Sequence, residues 1–220
     1  MKVELISYSN LGEKVCGIGA RTCTSDKIPT SEDDTSKALR SALSSDHDSI
    51  LEHFTMTFAV SGVSRALTHQ LVRHRLASYS QQSQRYVNMD EFEYVIPESI
   101  KSDRFALDDY TDLMQYINDL YGAMVNDYHI PEEDARYILP NACCTNIIVT
   151  VNARELRLIA ENRMCARAQW EIRQLVTKMV KQAKEVAPTI FADAGPECEK
   201  THVCYERNGC GKYPRYVVIE

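Results

Sequence analysis

No stretch of the 220 residues approaches the roughly 18 to 20 consecutive apolar residues that a membrane-crossing helix needs, so a bilayer-spanning protein is not expected. A basic excess is also missing. Lys and Arg number 25 against 31 Asp and Glu, a formal net charge of -6, the wrong sign for indiscriminate nucleic-acid binding. Basic clusters inside an acidic chain point instead to small anionic ligands. Internal repeats, low-complexity tracts and Gly- or Pro-rich linkers are absent, so nothing marks a domain boundary. The opening MKVELISYSN reads as a strand without the basic-then-apolar build of an export signal, and a cytoplasmic location is the expectation. The eight cysteines (Cys16, Cys23, Cys143, Cys144, Cys165, Cys198, Cys204 and Cys210) are then expected as reduced thiols, several buried as small hydrophobes.

What is present is the pattern of an ordinary globular chain, 44% apolar and 25% charged. Residues 2–8 read as a strand, and 13–23 and 31–44 as helices, the second opened by Ser31 with Asp34 three residues on. Phe54, Met56, Phe58 and Val60 alternate with small or polar residues, the period of a half-buried strand. Ser64 then caps a helix expected to reach about Arg75. The short polar residues from Ala77 to Gln84 read as an irregular loop. A strand over 92–96, a long amphipathic helix over 104–129, and a short helix opened by Pro131 and closed by Pro140 follow. Residues 146–151 read as a buried strand, with helices over 153–164 and 167–187 after it. The fold class is α+β: a single mixed domain with a central antiparallel-type sheet flanked by long helices. It spans residues 1–190, with a cysteine-bearing tail over 191–220.

Three clusters could carry chemistry. Gln70, Arg73 and His74 fall at i, i+3 and i+4, and the loop behind them adds Arg75, Gln81, Gln82, Ser83, Gln84 and Arg85. Forked guanidinium donors suit phosphate, and Gln amides can read the edge of a base. The blander alternative is a helix C-terminus offset by cations. Ser83 has no evident base nearby and reads as a phosphate ligand rather than a nucleophile. In the second cluster, Asn152, Leu156, Ile159 and Arg163 share one helical face, so Arg163 continues an apolar stripe and needs an acidic or electron-rich partner. Glu171 or Glu52 could supply it. Arg154 and Arg157 point elsewhere and read as surface charges. The third cluster, His47, Ser49, Glu52 and His53, precedes a strand and lacks a metal-ligand spacing, although its connection could reach a ligand. In the tail, Cys198, His202, Cys204 and Cys210 follow no standard zinc spacing, and inert or redox-sensitive thiols are the preferred reading over metal.

RHRLASYSQQSQRY, residues 73–86, resembles the RHR-x7-S motif of the flavin-dependent thymidylate synthases. HDSILEH at 47–53, RYILP at 136–140, and VNARELR, ENR and AQWEIR between 151 and 173 resemble further blocks of that family in its order. The resemblance covers roughly residues 1–190. It implies a cytoplasmic enzyme that methylates dUMP to dTMP, with methylenetetrahydrofolate as carbon donor and FADH2, regenerated by NADPH, as hydride source. It also implies a homotetramer with active sites shared between subunits. Carried over by position, Gln70, Leu71, Arg73, Gln81, Gln82, Ser83, Gln84, Arg85, Arg136 and Arg163 would meet dUMP. His47, Ser49, Glu52, Arg73, His74, Arg75, Gln81, Asn152, Arg154 and Leu158 would meet FAD. Arg163 would be catalytic by polarising the uracil, and no metal is implied. Two positions depart from the family pattern: Leu158 stands where many members have His or Asn, and Gln81 where some have Glu. The competing reading from another class is a single-stranded nucleic-acid module, with Tyr79 and Tyr86 stacking on bases. A metal-binding scaffold resting on the tail is the third.

Overall fold

The structure, a computed structural model, describes residues 1–29 and 31–216. Its elements in chain order begin with β1 (Lys2–Tyr8), α1 (Lys14–Thr22), α2 (Glu32–Ser44), a 3-10 turn (Asp48–His53), β2 (Thr55–Ser64), α3 (Arg65–Leu71) and β3 (Ala77–Gln81). They continue with α4 (Glu98–Lys101), α5 (Arg104–Asn126), α6 (Glu132–Ala135), a 3-10 turn (Arg136–Ile138), β4 (Cys144–Asn152), α7 (Ala153–Arg163), α8 (Trp170–Val186) and α9 (Glu197–Thr201). The strands form one four-stranded antiparallel sheet in the order β1-β2-β4-β3, and the fold is α+β as expected. No helix among the described residues is long and apolar enough to cross a membrane. Two compact units can be distinguished, one made of residues 1–2, 60–73 and 79–148, the other of 3–59, 74–78 and from 149 onward.

The first unit is organised by α5. Tyr110, Met114, Ile117, Tyr121 and Met124 follow a four/three spacing and pack against Met89, Phe92 and Cys143. The Tyr121 hydroxyl accepts from the Met89 amide (3.3 Å) and the Tyr110 hydroxyl donates to the Val95 carbonyl (2.9 Å), so each buried ring keeps a polar partner. Leu113 and Tyr128 are exposed: Leu113 lies about a quarter turn off this stripe, and Tyr128 lies beyond the end of α5 at Asn126. The expected strand over 92–96 is reduced to one isolated bridge between Tyr94 and Cys143. Here aromatic packing rather than a ladder holds the segment: Tyr94 meets both Phe92 and Tyr110 edge-on.

The second unit is built around α8, whose Ile172, Leu175, Val176, Met179 and Ala183 are all fully buried. Each large apolar side chain there contributes about 1.5–3 kcal/mol over an exposed position. Gln182, on the same helix, clasps β1 by accepting from the Leu5 amide (2.6 Å) and donating to the Val3 carbonyl (2.9 Å). Helix α2 starts as its sequence predicts, with the Ser31 hydroxyl accepting from the Asp34 amide. It lies so close to α1 that a Cβ on Gly17 would stand 2.4 Å from the Thr35 carbonyl oxygen. Glycine is required at that crossing.

Candidate active site

In the first unit, Ser64 caps α3 by accepting from the Leu67 amide (3.0 Å), but the helix closes at Leu71, four residues before its expected end. The Tyr79 hydroxyl donates to the Leu71 carbonyl (2.9 Å), taking an acceptor that the next helical turn would use. Arg73 and His74 therefore lie beyond the helix and do not share a helical face with Gln70. The polar run after them is likewise not a loop at its start: Ala77–Gln81 is β3, an edge strand, and Gln82 continues its pairing through a 2.9 Å bond to the Asn146 carbonyl. Edge strands tolerate polar side chains, so Ser and Gln are compatible with the ladder.

The sheet edge fixes the amides that follow. Gln81 Nε2 donates to the buried Thr68 (3.0 Å) and Thr145 (3.4 Å) hydroxyls. The Gln82 carbonyl accepts from Arg65 (3.5 Å), whose pKa burial lowers, and Gln84 lies 3.9 Å from the Cys143 thiol. Ser83 Oγ accepts from the Arg85 amide (3.2 Å), which closes a tight turn. Arg85 donates to the Glu133 carboxylate (2.8 Å from Nη2), and Arg136 Nε donates to the Glu133 carbonyl (2.9 Å). Glu133 thus gathers two of the expected nucleotide-binding arginines. A carboxylate here was not foreseen in the sequence, since it stands 48 residues from its partner. Gln70 turns back to its own helix at Ala66, and Leu71 is fully buried, so Leu71 serves packing in this structure.

In the second unit, Asn152 caps α7 by accepting from the Glu155 amide (2.8 Å). A cavity of about 400 Å³ opens beside this cap. Its walls include Glu52, Asn152, Arg154 and Leu158 from the expected flavin set, together with Asp48, Leu76, Arg157 and Lys200. Arg154 pairs with Glu52 (2.5 Å), and Leu158 is 47% exposed, an apolar face open for contact. His47 and Ser49 are exposed on or next to the adjoining 3-10 turn and do not line the cavity; Arg75 is exposed as well. Arg157 is not a surface charge: its side chain is 16% exposed and bonds the Ile190 carbonyl and the Asp193 carboxylate. Burial alone would raise the pKa of Asp193, but Arg157 and Lys200 outweigh it and hold the carboxyl below its usual range.

Arg163 meets an imidazole, and Glu52, one of its expected partners, pairs with Arg154 instead. The Arg163 Nε donates to His74 Nε2 (3.1 Å), and the other ring nitrogen of His74 stands 3.7 Å from the Glu155 carboxylate. His74 and Glu155 are both nearly buried. Glu155 was missed as a site residue; the signal for it is its place three residues after the capping Asn152.

A further cavity in this unit, about 420 Å³, is lined by Cys165, Cys198, Cys204 and Cys210 among others. Among the described residues no three His, Cys, Asp or Glu side chains are grouped to hold a metal ion, and all eight cysteines are free thiols. Burial pushes the thiols of Cys16 and Cys143 up to about 12 and about 11, the behaviour of small core hydrophobes.

Residues 4–189 match the family model described as thymidylate synthase complementing protein. A flavin-dependent thymidylate synthase of Clostridium tetani is 41% identical over 96% of this chain and 94% of its own length. The chain belongs to the flavin-dependent thymidylate synthase family. The flavin-dependent thymidylate synthase of Geobacter sulfurreducens is 45% identical over the same shares, and that of Pyrococcus furiosus 47% identical over 84% of this chain and 80% of its own. The fold agrees with a crystal structure of the flavin-dependent thymidylate synthase ThyX of Helicobacter pylori complexed with FAD and dUMP. That structure has a TM-score of 0.72 and 22% identity, covering 89% of this chain and all of that one. The family match reaches Thr189 and so leaves the cysteine tail outside it.

Proposed function

We propose that this protein is the flavin-dependent enzyme that converts dUMP to dTMP, with methylenetetrahydrofolate as carbon donor and NADPH as the source of reducing equivalents. The observation that carries the reading is the grouping of Arg85 and Arg136 at Glu133, behind a strand edge that holds Gln81, Gln82, Ser83 and Gln84 in fixed positions. Two guanidinium groups and a backbone turn suit a 5′-phosphate, and pinned amides suit a pyrimidine and its ribose. Gln70 and Arg73 join this set by their places in the motif alone.

The second unit fits FAD. Apolar faces at Leu76 and Leu158 suit a ring system, Arg154 suits its phosphates, and Asn152 and Glu52 supply polar contacts, while His47, Ser49, Arg73 and Arg75 are assigned to the flavin by their places in the motifs alone. When bound, FAD supplies the hydride for the reduction. Arg163 polarises the uracil: a fixed cation at the ring edge favours ionisation at N3, so no protein nucleophile is required. That agrees with Ser83, whose hydroxyl is engaged by a backbone amide.

Residues 1–190 carry most of this activity, and the tail adds Lys200 to the wall of the flavin cavity. The enzyme works in the cytoplasm as a homotetramer, a reading supported by the exposed Phe105, Leu113 and Tyr116 on α5, an apolar surface suited to another copy. Purified protein titrated with FAD tests the proposal. Saturable uptake that develops flavin absorption bands, together with dUMP binding, is the expected result. Protein that takes up neither contradicts it.

A further inference from the structure

Arginine has no acceptor, so the contact between Arg163 Nε and His74 Nε2 has only one possible direction. His74 Nε2 must carry a lone pair, and the single proton of the neutral ring then sits on Nδ1. Nδ1 faces Glu155 Oε1 at 3.7 Å, too long for a hydrogen bond but a close electrostatic contact between side chains 11% and 5% exposed. Burial lowers the pKa of His74, the charge of Arg163 lowers it further, and burial raises that of Glu155. Both shifts oppose a doubly charged pair. The arrangement fits a neutral imidazole whose N–H end faces a carboxyl oxygen across an electrostatic contact.

We propose that Glu155 is a positioning residue: it fixes the tautomer of His74, and His74 in turn holds the Nε edge of Arg163 so that its two Nη groups are presented to the substrate. The last clause rests on the function proposed above, whereas the tautomer does not. A simpler role is available, since Glu155 stands at the third position of α7 and its amide binds the capping Asn152. In a capping box the glutamate only reaches back to the N-cap amide. That role would alter stability and leave the ring of His74 unchanged.

Long-range 1H–15N NMR on the full-length, FAD-saturated protein, with His74 assigned by comparison with His74→Asn, separates the two. The expected wild-type spectrum has an unprotonated Nε2 and a protonated Nδ1. In Glu155→Ala the ring nitrogens shift toward a tautomer average, and kcat for dTMP formation falls about ten- to hundred-fold with little change in KM for dUMP. Glu155→Gln restores most of both, because its amide oxygen keeps a negative dipole end facing Nδ1–H across the same gap. A wild-type ring protonated at Nε2, or a Glu155→Ala ring and kcat indistinguishable from wild type, overturns the proposal. Should Glu155→Ala not fold, the wild-type spectrum and Glu155→Gln decide it. Wild-type protein that makes no dTMP would sink the function proposed above, while the ring spectrum would still decide the tautomer.

Discussion

Arg85 is held by Glu133 through two donors to one carboxylate oxygen, Nε at 3.0 Å and Nη2 at 2.8 Å. An arginine expected to grip a phosphate thus already has an anionic partner, and a nucleotide must compete with it. Both side chains are about half exposed, so the pair is worth no more than about 1 kcal/mol. Glu133→Gln removes the competing charge and keeps the shape. Its dUMP affinity, measured by calorimetry, should rise by up to about five-fold. Weaker binding would mean that Glu133 orients Arg85 productively rather than competing for it.

Ser83→Ala should weaken dUMP binding by several-fold and leave measurable turnover. The hydroxyl accepts from the Arg85 amide and closes the turn, a net hydrogen-bond contribution of about 0.5–1.5 kcal/mol. Steady-state kinetics with varied dUMP give the answer. Loss of all turnover with dUMP still bound would point to a nucleophilic serine.

These two residues also mark where sequence reasoning reached and where it stopped. The motif from Arg73 to Arg85 was legible because its density of donors is local. The partner of Arg85 was not, since Glu133 arrives from another element and no periodicity links the two. Element types were read correctly wherever one period dominated, as in β1, β2, α5 and α8. They failed where tertiary partners decide: β3 is a strand because β4 pairs with it, and α3 ends early because Tyr79 claims the Leu71 carbonyl. Arg163 was expected on an apolar face in need of a partner, and that face is observed. The identity of the partner, an imidazole backed by a carboxylate, is a long-range fact that the α7 sequence does not contain.

Leu158 lines the cavity assigned to the flavin and is 47% exposed, where many relatives are expected to have a polar side chain. Leu158→Asn should change stability by less than about 0.5 kcal/mol, because no core packing is lost. It should tighten FAD binding about two- to ten-fold if the amide gains one hydrogen bond. Fluorescence titration of apoprotein with FAD measures this. Weaker binding would show that the apolar contact of Leu158 is the one the flavin uses.

His74 predicts a pH effect of definite sign. Burial first, and the charge of Arg163 second, hold its pKa below the ordinary 6.5. Above pH 6.5 the ring is neutral in both folded and unfolded chains. As pH falls through 6.5 toward the lower folded value, the unfolded chain binds the proton more readily, and stability is lost. His74→Asn lacks this linkage. Thermal unfolding between pH 7.5 and about pH 5 should therefore show the wild-type Tm falling more steeply than that of the variant. A steeper fall in the variant would mean that His74 is protonated in the folded protein.

The central claim is that Arg163, anchored through His74, acts on a uracil nucleotide in a flavin-dependent methylation. A tritium-release or product assay with dUMP, methylenetetrahydrofolate, NADPH and FAD, run on wild type and Arg163→Ala side by side, tests it most directly. The expected outcome is dTMP from the wild type, none when FAD or methylenetetrahydrofolate is omitted, and at least about a hundred-fold loss in Arg163→Ala with FAD still bound. Wild-type protein that forms no dTMP, or an Arg163→Ala variant with full turnover, would contradict it.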